Sequence, residues 1–177
     1  IVCPDAKTKQ RIDYLKNFGF SDEVTVMAPG INGKMSEINA AFGLLQLKYI
    51  DKALYRRRQI EEQYRSSLSK VRGIKMLQKT ARTEGNSSYF PILVDLDFPI
   101  SRDELYQKMN EAGVSGRRYF YPLISDMPMY RGIESASPRN LINSHKISKQ
   151  VICLPIYPDL MDSEVESIAK IIIGHSL

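Results

Sequence analysis

From Ser36 to Gly73 the apolar residues recur at helical spacing, and this one run restricts the folds open to the chain. Ile38, Ala41, Phe42, Leu45, Tyr49, Ala53, Ile60, Tyr64, Leu68 and Val71 follow one another mostly at steps of three and four, the period of an amphipathic α-helix. Ser36 is placed to cap that helix and Gly73 to stop it. At a rise of about 1.5 Å per residue, a helix over residues 37–71 is about 50 Å long, enough to tie two domains together.

Short elements flank it. Asp5 is a candidate N-cap for a helix over 6–18, with Ile12, Leu15 and Phe18 on its apolar face and Gly19 at its end. Residues 20–35 form an extended connector turned at Pro29-Gly30. Beyond Gly73, strands are expected at 74–77 and 88–94, with Pro91 arguing for an edge position in the second. Ser101 and Glu104 make a capping-box pattern for a helix over 102–112. A strand over 114–121, a loop over 122–138 and a helix over 139–149 follow. A strand at 151–154 and a last helix over 162–173 complete the chain. Helices and strands mix without a strict βαβ rhythm, so the expected fold class is α/β, a largely antiparallel sheet packed against helices. Ile1-Val2-Cys3 reads as a short buried strand with no partner of its own, and Ile1 is no initiator methionine. The chain is therefore expected to be a piece of a longer protein.

Composition excludes several classes. No apolar run approaches the roughly 20 residues that span a bilayer, and no signal-peptide pattern opens the chain. The net charge of +5 raises the question of nucleic acid, but the basic residues are dispersed. Arg56-Arg57-Arg58, the densest cluster, is followed by Glu61 and Glu62 and reads as a solvated helix face. No nucleic-acid-binding signature accompanies it, so no nucleic-acid partner is expected. Cys3 and Cys153 are far apart and are expected to be buried structural thiols in a reducing, cytoplasmic setting. His145 and His175 have no partner ligands nearby, so no metal site is expected. Asp95 with Asp97, and Asp159 with Asp162, read as solvated or helix-capping carboxylates.

The segment before the long helix is chemically distinct. Gly30 and Gly33 let the backbone take positive φ and approach a ligand closely. Asn32 can donate two N–H bonds to an anionic oxygen, Lys34 adds a positive charge, and the helix N-terminus follows at once. Residue by residue, two readings stand open: a phosphate-contacting loop or a plain turn leading into a helix.

Longer motifs carry a family likeness. Gly30-Ile31-Asn32-Gly33-Lys34-Met35-Ser36-Glu37, continued through Ala40-Ala41-Phe42-Gly43 to Gln46-Leu47, resembles the G-x-N-x-[RK]-M-x-[DE]-x-x-A-A-x-G-x-x-Q-L segment of the DegT/DnrJ/StrS sugar aminotransferases. Tyr14 to Gly19 is similar to a helix-ending segment of that family, with Lys16 and Phe18 where Arg and His are more usual. Arg117-Arg118-Tyr119-Phe120-Tyr121-Pro122-Leu123 resembles its R-x-[HY]-[FY]-[YH]-P-L stretch, followed by Pro128-Met129-Tyr130. Cys153 to Pro158 resembles its closing L-P-x-x-P signature. The aromatic form Tyr119-Phe120-Tyr121 looks closest to the branch acting on dTDP-4-keto-6-deoxyhexoses.

The resemblance implies the small C-terminal domain of a fold type I enzyme dependent on pyridoxal 5'-phosphate (PLP). It divides the chain into 1–35, a remnant of the large cofactor-binding domain with an active-site loop; 36–72, a linking helix; and 73–177, the small domain. It implies a homodimer, with Asn32 reaching the PLP phosphate of the partner's site. It implies a nucleotide-linked 4-keto-6-deoxy (or 3-keto) sugar as substrate near Lys34, Tyr119 and Tyr121, with glutamate as amino donor, in polysaccharide or lipopolysaccharide biosynthesis. For the two tyrosines, packing in the small-domain core is the competing reading. The family's Schiff-base lysine has no match here: Lys7, Lys9 and Lys16 look like solvent-side residues of a helix. No catalytic residue is therefore expected in this chain, and the chain alone is expected to be inactive. The alternative is a stand-alone binding or regulatory module with the same fold. Apolar surface along residues 36–60 is expected to seek a partner.

Overall fold

The computed structural model describes residues 1–79 and 84–175 and falls into two compact units, Ile1–Ile50 and Asp51–Leu177. The first unit opens with α1, Ala6–Leu15, capped as expected: the Asp5 carboxylate accepts from the Thr8 amide at 2.7 Å. The helix stops three residues short of the expected end. Phe18 and Gly19 take φ of 58° and 91°, the left-handed region that reverses a chain. Ile1 to Cys3 form no strand, and Ile1 and Val2 are fully exposed. The strand expected there is corrected: three apolar residues have no ladder among the described residues to join.

The second element, α2, spans Glu37–Leu68 and runs through the boundary between the units. Its start follows the sequence, with Ser36 Oγ accepting from the Asn39 amide at 3.4 Å. Only Ile60, Tyr64 and Leu68 are buried on it, whereas Ile38, Phe42, Leu45 and Tyr49 are exposed.

The second unit carries a three-stranded antiparallel sheet in the order β1–β2–β3, from Ile74–Met76, Phe90–Val94 and Val151–Leu154. Phe90, Ile92 and Val94 point to one face and, with Ile152 and Leu154, meet the buried face of α2. The helices α3 (Arg102–Glu111) and α5 (Asp162–Ile173) complete that core through Leu105, Met109, Val165, Ile168 and Ile172. Each such side chain contributes about 1.5–3 kcal/mol by leaving water. Tyr64 is fully buried and donates its hydroxyl to the Pro155 carbonyl at 3.0 Å, so its polar end is satisfied inside the core. The capping box of α3 is present as expected, with Ser101 and Glu104 each bonding the other's backbone amide. Between α3 and β3 lie two 3-10 turns and a short α4, Ile142–Ser148.

Two further strand expectations are corrected. Pro91 is in the central strand, not at an edge. It lies opposite Cys153, whose amide and carbonyl are both spent on Arg117, so the Pro91–Cys153 pair exchanges no ladder bond. Its missing donor faces the β1 side, where the paired residues end at Met76 opposite Ile92. Residues 114–121 are no strand: among the described residues they pair with the sheet at the Arg117–Cys153 bridge alone, then turn away at Arg118. α4 begins at Ile142 because the turn after Pro138 holds the residues before it.

Candidate functional site

In the first unit, the residues after α1 lock against the loop that precedes α2. Ile31 donates to the Leu15 carbonyl, Phe18 to the Ile31 carbonyl and Gly33 to the Lys16 carbonyl, at 2.8–3.0 Å. Asn17 and Asn32 form a bridge across this contact. The glycine at 30 is needed for proximity and not for a positive φ, which neither Gly30 nor Gly33 has. A Cβ on Gly30 would lie 2.6 Å from the Leu15 carbonyl oxygen and would also meet the Gly19 amide. Neither glycine uses the positive φ open to it, and the close approach that Gly30 makes is to the end of α1 and the turn after it.

This packing holds the Asn32 backbone and leaves its side chain free. Asn32 is exposed, and its carboxamide takes no hydrogen bond among the described residues. Lys34 is also exposed, its ammonium 5.7 Å from the centre of the Phe18 ring. The chain thus presents one amide and one cation on a fixed loop, a donor set that fits one side of a phosphate. Lys7, Lys9 and Lys16 are exposed, and Asp13 pairs with Lys9 at 2.5 Å and Lys16 at 2.7 Å, as expected of solvent-side residues.

In the second unit, Tyr119 and Tyr121 line a cleft of about 320 Å³ with Tyr106, Gly116, Arg118 and Phe120. Neither tyrosine belongs to a strand or to the buried core. Tyr119 stacks on Phe120 and lies 4.6 Å, centre to centre, from Tyr89. The Tyr89 hydroxyl is bonded to the Tyr119 phenol and raises its pKa. Tyr121 is half-exposed and lies under two guanidinium groups, those of Arg102 at 5.0 Å and Arg118 at 5.1 Å. Asp103 links these two arginines, accepting from Arg102 Nε at 2.9 Å and Arg118 Nη1 at 3.1 Å. Partial burial works to raise the Asp103 carboxyl, but the bonds and charges of the two arginines outweigh it and hold the pKa below the ordinary value.

A larger cleft, of about 810 Å³, opens beside Tyr89 and Arg117, with Cys153 in its wall and α5 on one side. Burial pushes the Cys153 thiol up to about 11, which makes it an inert wall residue and not a nucleophile. Cys3 is only partly buried, against the expectation for it, because nothing in the first unit encloses it. The Arg56–Arg58 cluster is also corrected: Arg56 is mostly covered, donating to the Leu160 carbonyl and pairing with Asp162 at 2.8 Å. Among the described residues no group of acidic, histidine or cysteine side chains could hold a metal, and no helix is long and apolar enough to cross a membrane.

Sequence reasoning missed Tyr89, Arg102 and Asp103. One signal was present: Arg102 opens a helix, where the dipole disfavours a cation, so it needs a tertiary partner.

Known proteins extend these observations. Residues 1–173 match the profile of the DegT/DnrJ/EryC1/StrS aminotransferase family. Over 174 residues the chain is 53% identical to the dTDP-4-amino-4,6-dideoxy-D-glucose transaminase of Escherichia coli, covering 98% of this chain and 47% of that protein. The Shigella dysenteriae protein of the same name is 42% identical over 172 residues, covering 97% and 46%. The chain spans about half the length of these curated relatives. Among solved structures, S. venezuelae DesV in complex with a ketimine intermediate superposes with a TM-score of 0.85, covering 98% of this chain and 45% of that one. The two are 22% identical, a likeness of fold.

Proposed function

Because the chain belongs to the DegT/DnrJ/EryC1/StrS aminotransferase family, we propose that it is the C-terminal part of a PLP-dependent enzyme that aminates a nucleotide-linked 4-keto-6-deoxy sugar. The observation that carries this reading is the 53% identity, along nearly the whole chain, to a transaminase named for a dTDP-4-amino-4,6-dideoxy sugar. Glutamate is the proposed amino donor, a homodimer the proposed assembly and the cytoplasm the proposed location. The product would serve the synthesis of cell-surface polysaccharide or lipopolysaccharide.

Within that reading each part of the chain has a task. Residues 1–35 belong to the cofactor-binding domain, 36–72 are the linking helix and 73–177 the small domain. PLP, when bound, supplies the carbonyl and electron sink for amino-group transfer. Asn32 donates its amide N–H groups to the phosphate of the PLP in the partner's site, on a loop that three backbone hydrogen bonds pin to the end of α1 and the turn after it. Lys34 adds positive charge where the nucleotide and cofactor phosphates gather. Tyr119 and Tyr121 offer ring faces and hydroxyls to the sugar. The lysine that carries the cofactor lies outside this chain, which alone is inactive.

The test is spectroscopic and then chemical. Mixed with PLP, this chain is expected to show no visible Schiff-base absorbance. Joined to the preceding half of the protein, it is expected to show that absorbance and to release 2-oxoglutarate from glutamate when given a dTDP-4-keto-6-deoxy sugar. Colour from the chain alone would place the lysine within it. A joined protein that stays colourless would sink the aminotransferase reading.

A further inference from the structure

Arg102 is buried at a place where a cation is poorly tolerated. Its side chain is 1% exposed at the first position of α3, where the helix dipole opposes it. Three contacts compensate. Nη1 donates to the Ser148 carbonyl at 2.9 Å and the Val151 carbonyl at 2.8 Å, and Nε donates to Asp103. The first two tie α3 to the turn between α4 and β3. The guanidinium carbon lies over the Tyr121 ring, 5.0 Å from its centre.

Asp103 extends this grip outward. Its Oδ1 accepts from both Arg102 and Arg118, and Arg118 stacks over Tyr106 at 4.4 Å as well as over Tyr121. Tyr121 therefore meets two cations that share one carboxylate, Arg102 being held by two backbone carbonyls besides. Its backbone segment has no ladder of its own beyond the bridge at Arg117, and its hydroxyl takes no hydrogen bond among the described residues. The orientation of the ring thus depends on Arg102, Asp103 and Arg118, while Arg102 and Asp103 do not line the cleft.

We propose that Arg102 and Asp103 are positioning residues that act through Tyr121 and set the affinity for the nucleotide sugar. This rests on the reading that places Tyr121 in the sugar pocket. A planar guanidinium stacked on an aromatic face fixes both distance and tilt. Loss of the carboxylate frees Arg118 to rotate and leaves Arg102 with an unpaired charge, so Tyr121 samples more rotamers before substrate binds. The amino-donor step needs no such ring and is unaffected.

The experiment uses the complete protein and measures the glutamate and keto-sugar half-reactions separately. Asp103→Asn is expected to raise the KM for the keto sugar roughly threefold to tenfold, with the glutamate half-reaction unchanged. Combined with Tyr121→Leu it is expected to add nothing to the effect of Tyr121→Leu alone, because the two act through one ring. Arg118→Met, at a partly exposed position, is expected to move the same KM in the same direction and carries the test if Asp103→Asn fails to fold. An unchanged sugar KM, multiplicative effects in the double variant, or equal losses in both half-reactions would each overturn the positioning role. A wild-type protein that turns over glutamate but no nucleotide keto sugar would remove the substrate reading itself, and the role of Asp103 with it.

Discussion

A carboxylate drawn partly out of water keeps its charge only if its partners outweigh the loss of solvent, and Glu61 shows that balance. Burial works to raise its pKa, but hydrogen bonds from Ser87 and Arg65, with the Lys79 charge nearby, hold it below its ordinary 4.5. A carboxyl whose pKa is lowered by folding adds stability above its unfolded pKa and loses it as pH falls through the folded value. Glu61→Gln is therefore expected to be destabilising near neutral pH, with the difference from the wild type shrinking as the pH falls below 4.5 and through the lowered folded value. Urea unfolding of both proteins across that range checks it, and a difference independent of pH would contradict it. Asp103 follows the same sign, though its exposure gives screening a larger share. Asn32 and Lys34 are exposed to solvent, and only their backbone loop is fixed.

Local signals placed the helices well. Asp5, Ser36 and Ser101 all stand immediately before helix starts, because a side-chain oxygen bonding an unpaired amide is a contest settled within one turn. Ser101→Ala is expected to cost about 1 kcal/mol, read as a lower urea midpoint with an unchanged m-value. A much smaller loss would mean that tertiary contacts, and not the capping box, set the start of α3. The same locality explains the errors. Pro91 argues for an edge only if both sides of the strand need donors, and β1 is too short to need one there. Residues 114–121 have strand-like composition, but composition supplies no neighbour, and β3 accepts a single bridge from them. Apolar spacing along α2 is uniform, yet only its C-terminal part meets the sheet.

Every buried apolar side chain among the described residues lies in 51–177, and the first unit encloses little beyond Gly19. Stability should divide in the same way. Amides of β2, β3 and α5 are expected to show slower hydrogen exchange than the hydrogen-bonded amides of Phe18, Ile31 and Gly33 in the first unit; uniform protection along the chain would rule this out. The amino-acid sequence by itself determined most helix ends, three of the strands, the α/β class and the family, because caps, periods and motifs are written over a few neighbouring residues. It also singled out Asn32, Lys34, Tyr119 and Tyr121, though not what holds the tyrosines. Only the tertiary structure decided that Arg102 reaches Ser148 and Val151, that Arg56 reaches Leu160, and that Tyr64 ends on Pro155. These partners lie 46 to 104 residues apart. No spacing rule spans such a distance: a buried charge or hydroxyl takes whichever carbonyl the packing of the core brings within reach.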